Sequence, residues 1–186
     1  MGTDGFFAAS NSGGGFMNYY NEVFGDADRI FVVKGGPGTG KSRFIRAVAE
    51  HAETRGWEAE YYRCSSDPSS FDGVLLKKIG MKSAVIDGTP PHAWEPTLPG
   101  VRDTIVNLGD FWDVSELIAH REEIRGINAR KGVLWSSAYK WLSGCLDMCG
   151  IIASIGAECA DYAKINKAAG DMLAGIGKGE GFTLRP

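Results

Sequence analysis

The stretch "FVVKGGPGTGKSRF", residues 31 to 44, limits what this chain can fold into more than any other segment. Ile30 to Val33 is a short continuous apolar run, the pattern of a strand covered on both faces. From Lys41 onward, Phe44, Ile45, Val48 and Ala52 recur at helical spacing, and Gly56 marks the stop. Between strand and helix, Gly35, Gly40, Lys41 and Ser42 satisfy G-x-x-x-x-G-K-[ST] at every position. Such a loop wraps an anion with inward-pointing backbone N–H groups, and the following helix adds the positive end of its dipole. Glycines at 35, 36, 38 and 40 permit backbone conformations and close approaches that a Cβ would block, and Pro37 stiffens one corner. The expected nucleotide cradle is Gly35, Gly36, Pro37, Gly38, Thr39, Gly40, Lys41 and Ser42. Lys41 is expected to reach the β- and γ-phosphates and Ser42 to ligate Mg²⁺. The dinucleotide pattern G-x-G-x-x-G does not fit glycines 36, 38 and 40.

A loop of this kind needs a second acid at the end of a neighbouring apolar strand to hold the metal through its water shell. Asp87, closing "SAVID", fits, although Asp-Gly is also a common turn dipeptide. Where fast motor ATPases often carry a water-activating glutamate, this chain has Gly88. Asp67 and Asp72 follow the second strand; either suits a general base or substrate ligand, or a solvated loop, and Asp67 is taken as the base or water-positioning group. His92 reads as a loop histidine with no visible partner. Trp94, Phe111 and Trp112 suit an aromatic wall or core packing, and Arg121, Arg125, Arg130 and Lys131, interleaved with Glu122 and Glu123, suit a solvated helix face. Guanine recognition would want Asn-Lys-x-Asp, which "NKAAGD" misspaces, so ATP is preferred to GTP.

Around this centre, "WEAEYYR" (57 to 63) and "SAVID" (83 to 87) read as strands, "GFFAA" and "TIVNL" as weaker candidates, and 16 to 24 as a helix. "CSSDPSSFDG" is dense in turn formers, and "GTPPHAWEPTLPG" holds four prolines. Asp113 with Glu116 forms a capping box, and the chain beyond is helical, with a break expected at Gly150. The fold class is therefore α/β, a P-loop NTPase with a mainly parallel sheet flanked by helices and a C-terminal helical subdomain. Residues 1–113 form the nucleotide-binding core, and 114–186 form a lid or interface packed on it. Three firm strands are fewer than such sheets usually have, so further strands are expected from outside this chain unless the helical region covers a small sheet.

The 186 residues suit one domain, and the net charge of −3 gives no general attraction to nucleic acid or anionic membranes. No apolar run is expected to reach the length of a membrane span, and "MGTDGFFAAS" lacks the layout of a signal peptide. The expected location is the cytoplasm, with Cys64, Cys145, Cys149 and Cys159 as free thiols and the pair 145/149 buried.

"FFAASNSGGGF", "VVKGGPGTGKS", "CSSDPSSFDGV", "VIDGTPPH" and "IVNLGDFWD" occur in that order. Together they resemble the N-terminal half of an uncharacterised family of bacterial P-loop ATPases with tandem P-loop halves. The likeness is good over residues 5 to 113 and loose beyond. It implies ATP and Mg²⁺ as ligands, and a site completed by a second half or a second subunit. The expected activity is slow Mg²⁺-dependent ATP hydrolysis, as a switch or within a larger assembly, with Lys41, Asp67 and Asp87 in the catalytic set. A small-molecule kinase and a nucleotide-dependent binding module with negligible turnover are the alternatives.

Overall fold

The computed structural model describes residues 5–175. The terminal "GEGFTLRP" lies outside the described residues. Eight strands form: β1 (Gly5–Phe7), β2 (Ala9–Ser12), β3 (Gly15–Asn18), β4 (Arg29–Lys34), β5 (Glu58–Arg63), β6 (Phe71–Lys78), β7 (Met81–Asp87) and β8 (Asp103–Asn107). Five α-helices accompany them: α1 (Tyr20–Phe24), α2 (Lys41–Glu53), α3 (Val114–Ala119), α4 (Arg121–Cys159) and α5 (Tyr162–Gly175). Six strands make one mixed, mostly parallel sheet in the order β1-β5-β6-β7-β4-β8, and β2 and β3 form a separate hairpin.

Strand alternation sends side chains to two faces and so to two cores. Val33, Val74, Leu76 and Val85 point to the face that α2 covers with Ile45 and Ala49. Ile30, Val32, Leu75, Ala84 and Ile86 point to the other, under Ala8, Ala9, Tyr20, Phe24 and Trp94. Burying each large aliphatic side chain contributes about 1.5–3 kcal/mol, so these two layers hold the fold.

The sheet has six strands among the described residues, which corrects the expectation of a short one. The missing member is β6, antiparallel to both β5 and β7 and buried from Phe71 to Leu76. Its first residues lie in what reads as loop, because Asp72 and Gly73 resemble turn formers. Gly73 is small for a packing reason: a Cβ there would lie 2.9 Å from Phe24 Cζ.

The helix expected from Phe16 begins only at Tyr20, because residues 15 to 18 belong to β3. Asn18 Oδ1 accepts the Tyr20 N–H at 3.0 Å and sets that start. The expected stop at Gly150 also fails: α4 runs unbroken to Cys159 and ends where Ala160 turns extended. An interior glycine costs about 1 kcal/mol but keeps its N–H, so it does not break a helix by itself. Asp113 does cap α3, accepting from the Glu116 N–H at 3.1 Å.

No residue of α3, α4 or α5 is buried among those described. Helix α4 leans on the hairpin: the Tyr139 hydroxyl donates to Asn11 Oδ1 at 2.7 Å, and Leu142 and Leu146 lie against Gly13. Cys145, Cys149 and Cys159 are exposed, not buried. By length and composition α4 is long and apolar enough to cross a membrane, which corrects the expectation that no run approaches that length; one such helix is weak evidence for a membrane.

Candidate functional site

The loop between β4 and α2 is built around three glycines with positive φ: Gly35 (149°), Gly38 (80°) and Gly40 (84°). These are left-handed conformations that a side chain would strain. A Cβ on Gly36 would come within 2.9 Å of Trp112, whose ring lies against the loop. Gly40 is the N-cap of α2 with no side chain capping it, and no acid stands in the first turn. The N–H groups of Lys41, Ser42 and Arg43 head the helix with no carbonyl ahead of them, leaving the dipole's positive end for an anion.

Lys41 closes the loop from inside. Its ammonium donates to the carbonyls of Gly35 (2.9 Å) and Gly36 (3.0 Å). It also stands 3.6 Å from Asp87 Oδ2, both side chains being largely buried. Asp87 reaches it because β7 pairs in parallel with β4, placing Asp87 level with Val33 just before the loop. Asp87 Oδ1 is held by the Thr89 N–H (2.9 Å) and hydroxyl (2.6 Å), leaving Oδ2 toward Lys41. Ser42 Oγ accepts the Phe71 N–H at 2.8 Å, tying α2 to the start of β6.

Gly88 has a local cause. A Cβ there would lie 2.3 Å from Val32 Cγ1, so the sheet leaves no room for a glutamate. Lys34, which the sequence did not single out, donates to the carbonyls of Gly88 (2.7 Å) and Trp94 (3.0 Å). It pins the proline-rich loop to the end of β4 and so fixes Asp87 and His92 above the glycine loop.

The glycine loop, Lys41, Ser42 and Asp87 line one cleft of about 830 Å³. Cys64, Asp67, Asp72 and His92 line it too, as do Asn128 and Lys131 of α4. Asp67 is exposed, and Ser69 and Ser70 hold both its oxygens through hydroxyl bonds of 2.5 and 2.6 Å. Those bonds keep its pKa below the ordinary 3.8, which disfavours it as a proton acceptor.

Asp72 is the contrary case. It is buried at 6% exposure, and desolvation pushes its pKa up against the opposing pull of His92. His92 is not a free loop residue. It is 5% exposed, its ring stacks on Tyr20, and its Nε2 lies 3.2 Å from Asp72 Oδ2, out of line for a hydrogen bond. The sequence hid this pair because twenty residues and a whole strand separate its members.

Of the aromatics, Trp112 meets the glycine loop, Trp94 is in the core and Phe111 is exposed. Arg125 pairs with Glu122 on the solvated face of α4 at 2.8 Å. No protein-family model, no curated protein and no solved structure matches the chain, so the site is read from its own geometry.

Proposed function

We propose that this chain is a P-loop NTPase that binds ATP with Mg²⁺ in the cleft over the glycine loop and hydrolyses it slowly, as a switch or as part of a larger assembly. The observation that carries the reading is the pairing of Lys41 with Asp87 at 3.6 Å, from neighbouring parallel strands, beside a loop of left-handed glycines and an uncapped helix start. That arrangement supplies a cation, an acid and free N–H groups together, which is what a triphosphate and its metal require. At Gly38 and Gly40 a Cβ would meet nothing within 4 Å, so the space beside the loop there is open, which supports the fit.

Gly35 to Ser42 would hold the phosphates, and Lys41 would swing from the loop carbonyls to charge developing on the γ-phosphate. Ser42 and Asp87 would hold Mg²⁺, which when bound neutralises phosphate charge. Gly88, with no carboxylate to activate water, supports a slow rate. In this reading the chain works in the cytoplasm, belongs with the tandem P-loop ATPases it resembles, and meets a second P-loop half or a second copy of itself, with nucleic acid an improbable partner.

A phosphotransfer reading is favoured by one observation: Asp72 is a buried acid of raised pKa in the same cleft, suited to take a proton from an acceptor. Phosphate release from Mg·ATP by the purified chain, beside Lys41→Ala and Asp87→Ala, tests both. Slow turnover lost in both variants supports the ATPase. ATP binding without release sinks it as a stand-alone hydrolase.

A further inference from the structure

Cys64, Asp72 and His92 come from three separate elements: the residue after β5, the second residue of β6, and the loop beyond β7. One ligand-type atom from each lies within 4.8 Å of the others. Two of the three are buried and incompletely satisfied: Asp72 Oδ2 and His92 Nδ1 have no hydrogen-bond partner. The Cys64 thiol lies beside them, within 4.8 Å. A buried acid and a buried imidazole left short of partners are costly, and the sequence offers no apolar reason for either. Around them, Tyr20 stacks on the imidazole at 5.6 Å and Phe16 meets its edge at 5.2 Å, so the ring is held in one orientation.

From these observations we infer that Cys64, Asp72 and His92 form a three-ligand site for a zinc-class dication, with the fourth position open to the cleft. The ligand chemistry selects the ion. A thiolate with an imidazole and one carboxylate suits Zn²⁺ or Co²⁺, whereas Mg²⁺ and Ca²⁺ want oxygen alone. The size agrees. Bonds of about 2.0–2.3 Å in a tetrahedron place ligand atoms about 3.3–3.8 Å apart, so atoms now within 4.8 Å of one another close by at most about 1.5 Å on binding. Metal binding releases the thiol proton, and the dication gives the buried carboxylate and imidazole the partner they lack. All three residues line the cleft, so a water or a ligand oxygen completes the tetrahedron from that side. The site is separate from Ser42 and Asp87 and stands whether or not the chain turns over ATP.

The test is Co²⁺ titration of EDTA-treated full-length protein carrying Cys145→Ser, Cys149→Ser and Cys159→Ser. These exposed thiols, two of them one helical turn apart, would otherwise bind the probe. The expected result is one equivalent of Co²⁺ with a thiolate charge-transfer band in the near ultraviolet. Zn²⁺ displaces it and millimolar Mg²⁺ does not. Adding Cys64→Ser, a mild change at a half-buried position, removes the band and weakens Zn²⁺ binding by at least about 100-fold, with the circular dichroism unchanged. His92→Gln weakens binding comparably, and Lys41→Ala keeps it, which separates this site from the nucleotide reading. Absence of the band in the triple-serine protein, or a band that survives Cys64→Ser, overturns the proposal. Because the parent protein is itself titrated, a variant that fails to fold does not rescue it.

Discussion

Strand β4 and helix α4 are opposites. On β4, Ile30, Val32 and Val33 have no exposed surface. Along the 39 residues of α4 none is buried, and Trp141 (80%) and Ile152 (66%) stand in solvent. Both segments are rich in apolar residues. Tertiary contact makes the difference. β4 lies between β7 and β8 with side chains packed on both faces, whereas α4 touches the rest of the fold chiefly at the β2–β3 hairpin. Stability is therefore concentrated in the sheet around the glycine loop, and the helix that lines the cleft through Asn128 and Lys131 belongs to the easily opened part.

The sharpest way to break this contrast is to truncate both. Ile30→Ala is expected to lower unfolding free energy by about 2–5 kcal/mol in urea denaturation, while Ile152→Ala changes it by less than about 0.5 kcal/mol. Equal losses would show that α4 is packed after all. Asp103 gives the next effect. Its buried carboxylate accepts the N–H groups of Thr97 and Leu98 (3.0 and 2.7 Å) and pairs with Arg102. Burial raises its pKa, and the backbone bonds and Arg102 outweigh that and hold it below 3.8. A folded value below the unfolded one contributes stability above the unfolded pKa and loses it as pH falls through the folded value. Asp103→Asn should cost about 2 kcal/mol at pH 7 and flatten the acid limb of a stability-versus-pH curve below pH 4.

Gly88→Glu should cost about 1–3 kcal/mol through the clash with Val32, and phosphate release should not speed up. A faster, fully stable variant would show that the site lacks only that acid. Asp72→Asn has the opposite sign. A carboxyl with a raised folded pKa costs stability above that value, so the neutral isostere should gain about 1 kcal/mol at pH 7. Thermal denaturation at pH 7 reads it, and a loss would mean that its pull on His92 outweighs the desolvation. Amide exchange completes the comparison without mutation: the α4 amides should exchange well before those of β4.

Much of the centre was legible in the sequence because its signals are local. Gly35 to Ser42 must be contiguous to make the loop, the stripe from Phe44 to Ala52 declares α2, and a β-branched run before an acid marks β7 and Asp87. Asp113 announced its cap by an acid three residues on. What the sequence hid was non-local. Strand β6 opens with residues typical of turns: Gly73 is strand because it pairs with both Tyr62 and Ile86, and Asp72 sits at the irregularity where the register against β5 shifts.

By itself, then, the sequence determined the strand–loop–helix and the acid at the end of β7, because spacing along one chain encodes helix faces, strand alternation and backbone freedom. Only the tertiary structure decided that β6 completes the sheet, that Asp72 and His92 meet beside Cys64, and that the apolar residues of α4 stay uncovered. Each of those depends on which surfaces come together across long chain separations, and a single sequence carries no periodicity for that.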